Sequence, residues 1–131
     1  VVRPGGTVAA YVWDVLNAAS PISPFERLLP DSPYRPSPSA SSLAALQEFW
    51  RGAGLEAIET RTITVQRTFA DFDTLWTMSV NGTVLKPQIA ALPQSEVEAA
   101  KTRLRERLPV AADGSITYSA TANAIAGRVP R

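Results

Sequence analysis

The residues of this sequence that could contact a ligand fall in two places, and the first is Trp13–Asp14. These two residues follow residues 7–12, a continuous run of apolar and β-forming residues that predicts a strand. Ligands of open α/β sheets bind beyond the carboxyl ends of the strands. We therefore predict Trp13 and Asp14 as substrate-binding residues. The structural alternative is a packed indole followed by a carboxylate that caps a turn.

The second place is an aromatic segment in the middle of the chain. Phe69, Phe72 and Trp76 are spaced by three and four residues, which is the spacing of one helix face. We predict that these rings also bind substrate, and the alternative is an amphipathic stripe that packs on the core. The neighbouring Asp71 and Asp73 are two residues apart and point to different faces of a helix, so we predict no catalytic residue.

The composition excludes several classes of chemistry. The 131 residues include no cysteine and no histidine, which excludes disulfides, Cys/His zinc sites and Ser-His-Asp triads within the sequence. Lys and Arg number 13 against 12 Asp and Glu, so no nucleic-acid partner is expected. No apolar run approaches the ~20 residues of a membrane span, and no signal peptide opens the sequence. We expect a cytoplasmic protein without a membrane partner.

The hydrophobic pattern predicts an α/β fold in one domain, 1–131. Its sheet has about three strands, and we expect the first strand to be central, parallel and buried on both faces. A Pro/Ser-rich loop over 15–42 is either an ordered lid or a flexible insertion. Capping boxes are expected at 68–71 and 95–98. The predicted elements are a strand 7–12, a helix 42–53, a strand 57–65, a short helix 68–76, a helix 95–108 and a strand 115–127.

Several segments together resemble one enzyme family. The Pro4-Gly5-Gly6 turn and the strand after it are similar to the segment that closes the cofactor half of class I S-adenosylmethionine-dependent methyltransferases. The Ala53-Gly54-Leu55 helix end, the Phe69–Trp76 segment and the Asp113-Gly114-Ser115 strand entry follow in the order of the C-terminal half of its small-molecule members. The resemblance implies a partial Rossmann-like fold, a small mixed sheet flanked by helices, whose last strand runs antiparallel between the other two. It also implies that the aromatic segment lies over the acceptor pocket.

The donor-binding half of that family has no counterpart in these residues. No G-x-G-x-G loop follows a strand, and no acidic residue follows a second strand, although these parts hold the methionine and ribose portions of the donor. S-adenosylmethionine, the cofactor of the family, is therefore not expected to bind this chain alone. We expect the C-terminal portion of a longer methyltransferase, inactive in isolation, whose small-molecule acceptor the sequence does not identify.

A different class of function also fits the sequence. The chain could be a non-catalytic binding or assembly module that keeps part of the methyltransferase fold. In either case the apolar first strand lacks a neighbour on its outer side. We therefore expect a homodimer in which two copies of this strand pair across a two-fold axis.

Overall fold

A computed structural model describes residues 2–26, 28 and 37–131 of the chain. The strands of this part are β1 (Thr7–Trp13), β2 (Glu56–Phe69) and β3 (Ile116–Arg128). Its helices are α1 (Ser23–Glu26), a 3-10 helix (Pro38–Ser41), α2 (Leu43–Gly52), α3 (Phe72–Val80), α4 (Leu85–Ala90) and α5 (Gln94–Arg107). No described helix is long and apolar enough to cross a membrane.

The three strands form one open antiparallel sheet in the order β1-β3-β2. Ala10 of β1 lies opposite Ile125 of β3, and the register runs from Thr7–Arg128 to Trp13–Ala122. Hydrogen bonds between side chains fix the other pairing: Thr62 to Asn123, Thr64 to Thr121, Gln66 to Ser119 and Thr68 to Thr117. The antiparallel placement of the last strand between the other two is thus confirmed. The expected mixed sheet is wrong, because both pairings are antiparallel.

The prediction that β1 is a central parallel strand, buried on both faces, is wrong. β1 lies at one edge of the sheet and pairs only with β3 among the described residues. Tyr11 is 67% exposed and Val12 is 36% exposed. An apolar run predicts burial only where neighbouring elements cover the strand, and the described chain places no strand on the outer side of β1.

The described chain divides into two compact units. The first contains residues 2–21, 37–65 and 120–131, and the second contains residues 22–26, 28 and 66–119. β2 and β3 each contribute residues to both units, while β1 and α2 belong to the first and α3, α4 and α5 belong to the second. The expectation of a single domain stays a prediction.

In the first unit, α2 packs against one face of the sheet. Trp50 of α2 lies so close to Gly127 of β3 that a Cβ on this glycine would stand 3.2 Å from the indole ring. Leu46 and Ile125 are buried in the same unit. The side chain of Ser42 accepts a hydrogen bond from the Ala45 N–H and caps the helix.

The core of the second unit is built from aromatic and aliphatic residues of its helices and strands. Leu75 of α3 and Leu104 of α5 are fully buried, and Leu85 of α4 is 1% exposed. The sequence predicted the helix α5 but not the short α4. The capping box at 95–98 is wrong, because α5 begins at Gln94 after Pro93 and has no side-chain cap. A proline before the first turn supplies the extended backbone that starts a helix without such a bond.

The start of α3 also differs from the sequence prediction. Thr68 still belongs to β2, and Asp71 is itself the N-cap, whose carboxylate accepts a 2.7 Å hydrogen bond from the Thr74 N–H. This backbone hydrogen bond, followed by that of the Thr74 hydroxyl, lowers the pKa of Asp71 from its ordinary value. The carboxylate therefore stabilises the folded state while it is ionised.

We expect Asp71→Asn to lower the urea midpoint of unfolding at neutral pH, and the difference from the unsubstituted chain to shrink on acidification. Because the folded-state pKa of Asp71 is below its unfolded-state pKa, its contribution is present above the unfolded-state pKa and is lost as the pH falls through the folded-state pKa. Asp73→Asn is the matched control, since the Asp73 side chain is 91% exposed and forms a surface ion pair with Arg105 at 3.6 Å. A difference for Asp71→Asn that does not change with pH would contradict this account.

Candidate functional site

The turn that follows β1 is organised by Asp14. Its carboxylate accepts hydrogen bonds from the Asn17 N–H at 3.2 Å and from the Asn17 side-chain amide at 2.8 Å. The backbone of Asp14 bonds to the Thr121 carbonyl and the Ala19 N–H, and Ala18 has a positive φ of 53°. Asp14 is 8% exposed, so its carboxylate is already used by this turn. Its role in substrate binding stays a prediction, and the geometry favours the capping alternative.

A buried polar network joins this turn to the sheet. Asn123 of β3 is 5% exposed, and its side-chain amide donates a 2.9 Å hydrogen bond to the Ser41 carbonyl. Its oxygen accepts from the Thr62 hydroxyl at 3.3 Å. The Ser41 hydroxyl in turn accepts from the Leu16 N–H at 3.1 Å and donates to Pro38 at 2.7 Å. A single buried side chain therefore links β2, β3 and the 3-10 helix.

The face of the sheet opposite α2 in the first unit carries an open trough of about 460 Å³. Its floor is made of small side chains, because Ala9 lies opposite Ala126 and Ala124 lies opposite Tyr11. Alanine methyl groups project little from a pleated sheet, so a planar apolar group can lie flat on this floor.

The sides of the trough carry the groups that could orient a ligand. Tyr11 stands at the β1 side, and its ring meets that of Trp13 edge to face, with centroids 6.3 Å apart. Glu59, Arg61 and Ile63 of β2 line the other side. Glu59 and Arg61 carry the charges of this side, and neither forms an ion pair with another described residue.

Only part of this trough could be predicted from the residue pattern. Glu59 and Arg61 share one parity, with Ile63 further along, which predicts a strand that is partly solvated at its start. The alanine floor lies beside these residues because β3 pairs with β2. No local pattern in the sequence specifies that pairing. Of the predicted site residues, only Trp13 lies beside the trough; this residue is half-buried.

The other predicted rings lie in the second unit and are part of its core. Phe69, Phe72 and Trp76 are between 4% and 8% exposed. The Phe72 and Trp76 rings stack with centroids 6.3 Å apart, and Phe69 stacks on Tyr118 at 5.8 Å. This packing agrees with the core alternative of the sequence analysis. Substrate binding by these rings stays a prediction.

Basic side chains lie over the same rings. Each guanidinium or ammonium group lies within the range of an attractive cation–π contact. The three contacts are Arg105 over Phe72 at 4.2 Å, Arg67 over Phe69 at 4.8 Å and Lys101 over Trp76 at 5.4 Å. Burial also raises the pKa of Tyr118, while the charge of Arg67 and a hydrogen bond with Ser79 oppose the shift. Each of the three predicted rings thus has a cationic neighbour as well as a core neighbour.

The glycines do not form a donor-binding loop. Gly5 has φ +73°, and a Cβ on Gly6 would lie 2.8 Å from the Arg3 carbonyl oxygen, so these two residues make a tight turn before β1. None of the seven glycines joins the end of a strand to the start of a helix. The described residues therefore include no strand-to-helix glycine loop of the kind that receives S-adenosylmethionine in that family, and the expectation that the donor does not bind this chain stays a prediction. They also contain no group of three or more acidic side chains that could hold a metal ion.

Comparison with known proteins adds no relative. A scan against protein-family models gives no match, and a search of curated proteins finds no similar sequence. The function is therefore inferred from the residues and from their geometry.

We expect Asn123→Ala to lower the free energy of unfolding by about 1–3 kcal/mol, because it leaves the buried Ser41 carbonyl without its donor. Thr64→Val is the control: it removes an exposed hydroxyl pair with Thr121, and a surface change of this kind costs less than about 0.5 kcal/mol. Urea unfolding followed by tryptophan fluorescence measures both variants. Equal effects of the two substitutions would show that the buried amide has no special role.

Proposed function

We propose that this chain is the acceptor-side portion of an S-adenosylmethionine-dependent methyltransferase that acts on a small molecule, and that it transfers no methyl group by itself. The observation that carries the proposal is the strand order β1-β3-β2, in which β3 runs antiparallel between its neighbours. The family resemblance implies the same order. A strand that enters the sheet after α5 and separates two earlier strands is a specific topological feature.

On this proposal the three strands are one end of a larger Rossmann-like sheet. The next strand of that sheet pairs with the free side of β1 and belongs to the donor-binding half. S-adenosylmethionine supplies the methyl group from that half, because the described residues of this chain offer no loop that could hold it.

The part of this chain in the reaction is to hold the acceptor. Methyl transfer is an in-line displacement that depends on near-attack geometry more than on a catalytic group. A planar acceptor lies on the alanine floor beside Tyr11 and Trp13, and Arg61 or Glu59 contacts its polar substituents. Asp14, Phe69, Phe72 and Trp76 remain proposed acceptor-side residues. Their observed contacts support a structural role in holding the turn and the helical core.

We expect isothermal titration of S-adenosylmethionine and S-adenosylhomocysteine into the 131-residue chain to give no binding heat. The physical reason is that no backbone amides are arranged at a helix start to receive the donor. A folded far-UV spectrum of the same sample is the control. Micromolar binding would contradict this division of the two sites.

The methyltransferase proposal also predicts what lies beside this chain. We expect the coding sequence upstream of Val1 to contain, in frame or in an adjacent gene, a strand, a G-x-G-x-G loop and a helix. That segment, added to this chain, should restore donor binding and the formation of S-adenosylhomocysteine with a planar aromatic acceptor. Variant Arg61→Ala should then weaken acceptor binding without changing donor binding. Absence of such a segment from the locus would contradict the proposal.

A second candidate function is favoured by the exposed edge of β1. The chain would then be a non-catalytic assembly module, and its partner would pair with this strand. The same sequencing result separates the two candidates, because an assembly module needs no donor-binding segment.

A further inference from the structure

The two edges of the sheet differ in a way that concerns partner binding. β1 (TVAAYVW) contains no charged residue and no proline, and four of its consecutive residues, 9–12, are exposed. Unprotected strand edges pair with other strands, and natural proteins usually block them with charges, prolines or bulges. β1 has none of these protective features along its seven residues.

The β2 edge, in contrast, is protected. Ala57, near its start, has a positive φ of 48°, which interrupts the regular strand backbone. Charged side chains occur along its length, namely Glu56, Glu59, Arg61 and Arg67. Since protection is confined to β2, the sequence leaves β1 as the edge that is open for pairing.

The backbone groups available at this edge follow from the β1–β3 register. The Gly6 carbonyl accepts from the Val129 N–H, and the Asp14 N–H donates to the Thr121 carbonyl. Hydrogen bonding alternates along an antiparallel pair, so the even-numbered residues between them bond to β3. The N–H and C=O groups of the odd-numbered residues therefore point away from the sheet. These residues are Thr7, Ala9, Tyr11 and Trp13.

We propose that a second copy of this chain pairs with β1 in antiparallel orientation about a two-fold axis at Ala10. In this register Ala9 exchanges hydrogen bonds with Tyr11 of the partner subunit, and Thr7 lies opposite Trp13 of the partner subunit. Ala10 faces Ala10 of the partner subunit. The two three-stranded sheets join into one sheet of six strands, and the interface is isologous.

Side-chain size supports this register. A large ring meets a small residue at every outward position, because Tyr11 lies over Ala9 of the partner subunit and Trp13 over Thr7 of the partner subunit. A two-fold axis at Tyr11 would oppose two tyrosine rings and leave Thr7 unpaired. An axis at Ala9 would place Trp13 against Gly5 of the partner subunit, which belongs to a turn of positive φ. Only the axis at Ala10 pairs all four outward residues within the two strands.

The absence of charge along β1 removes like-charge repulsion from a self-pairing strand. This inference does not depend on the methyltransferase proposal, because it uses only the edge of β1. A donor-binding half would compete with the second copy for the same edge, so dimerisation and donor binding are tested separately.

Single cysteine variants test the register, since the chain contains no cysteine. Residues that face each other in a non-hydrogen-bonded antiparallel pair have Cβ atoms about 4.5–5.5 Å apart, which is close to disulfide geometry. We expect Ala10→Cys to form a disulfide-linked dimer at least about tenfold faster than Val12→Cys, because pairing raises the local thiol concentration. Val12→Cys should instead crosslink to Val8→Cys when the two variants are mixed. Equal rates for Ala10→Cys and Val12→Cys alone would overturn the register.

Light scattering tests the dimer without any crosslink. We expect a mass twice the 14.1 kDa of the chain at micromolar concentration, and a return to 14.1 kDa for Ala9→Lys, which places a charge on the β1 edge. Val65→Lys, an exposed position on β2, is the matched control and should stay dimeric. A folded, monomeric unsubstituted chain would overturn the proposal, as would a dimer that Ala9→Lys leaves intact.

Discussion

The pairing of β3 with both other strands is the constraint on which the described structure depends. β3 is the last element of the chain, yet it lies between the first strand and the second. β1 and β2 therefore cannot form this sheet until the C-terminal residues have joined them. Such non-local pairing costs loop-closure entropy before its contacts form, so sheet formation is coupled to the folding of most of the chain.

Several properties of β3 make this central position possible. Its small residues let α2 approach one face, where Trp50 packs against Gly127. On the same face, the buried side-chain amide of Asn123 donates one hydrogen bond through its nitrogen and accepts another through its oxygen. On the other face its alanines leave a flat floor. One strand thus provides a close helix contact, a buried polar anchor and an open surface, because alternate side chains point to opposite faces.

The trough and the unpaired edge of the sheet both include residues of β1. Tyr11 stands at the side of the trough and also belongs to the outward-pointing residues of the edge. Whatever strand pairs with β1 therefore lies beside the trough. In a methyltransferase that strand would bring the donor-binding half next to the acceptor, and in a homodimer it would bring a second trough alongside the first. The two proposals for this edge thus differ in its neighbour, which is a donor-binding half in one and a second copy of the chain in the other.

The sequence by itself determined the kinds of elements and many of their limits. The apolar run at 7–12 and the β-forming residues at 57–65 and 115–127 predicted three strands, and the segment 42–53 predicted the helix α2. The absence of cysteine and histidine excluded several classes of chemistry. These features are local, since propensity, periodicity and composition act over a few residues. The caps of α3 and α5 were misjudged because several nearby residues can end or begin a helix, and tertiary contacts select among them.

Only the tertiary structure decided which side chains are free to meet a ligand. Phe72 and Trp76 are aromatic residues of a kind that often binds ligands, yet they are buried in the helical core. Arg61 and Tyr11, in contrast, line the same trough. Likewise, the apolar run of β1 looked like a buried strand and lies at an edge. Burial depends on which distant segments cover a residue, and strand pairing over more than a hundred residues leaves no local pattern in the sequence.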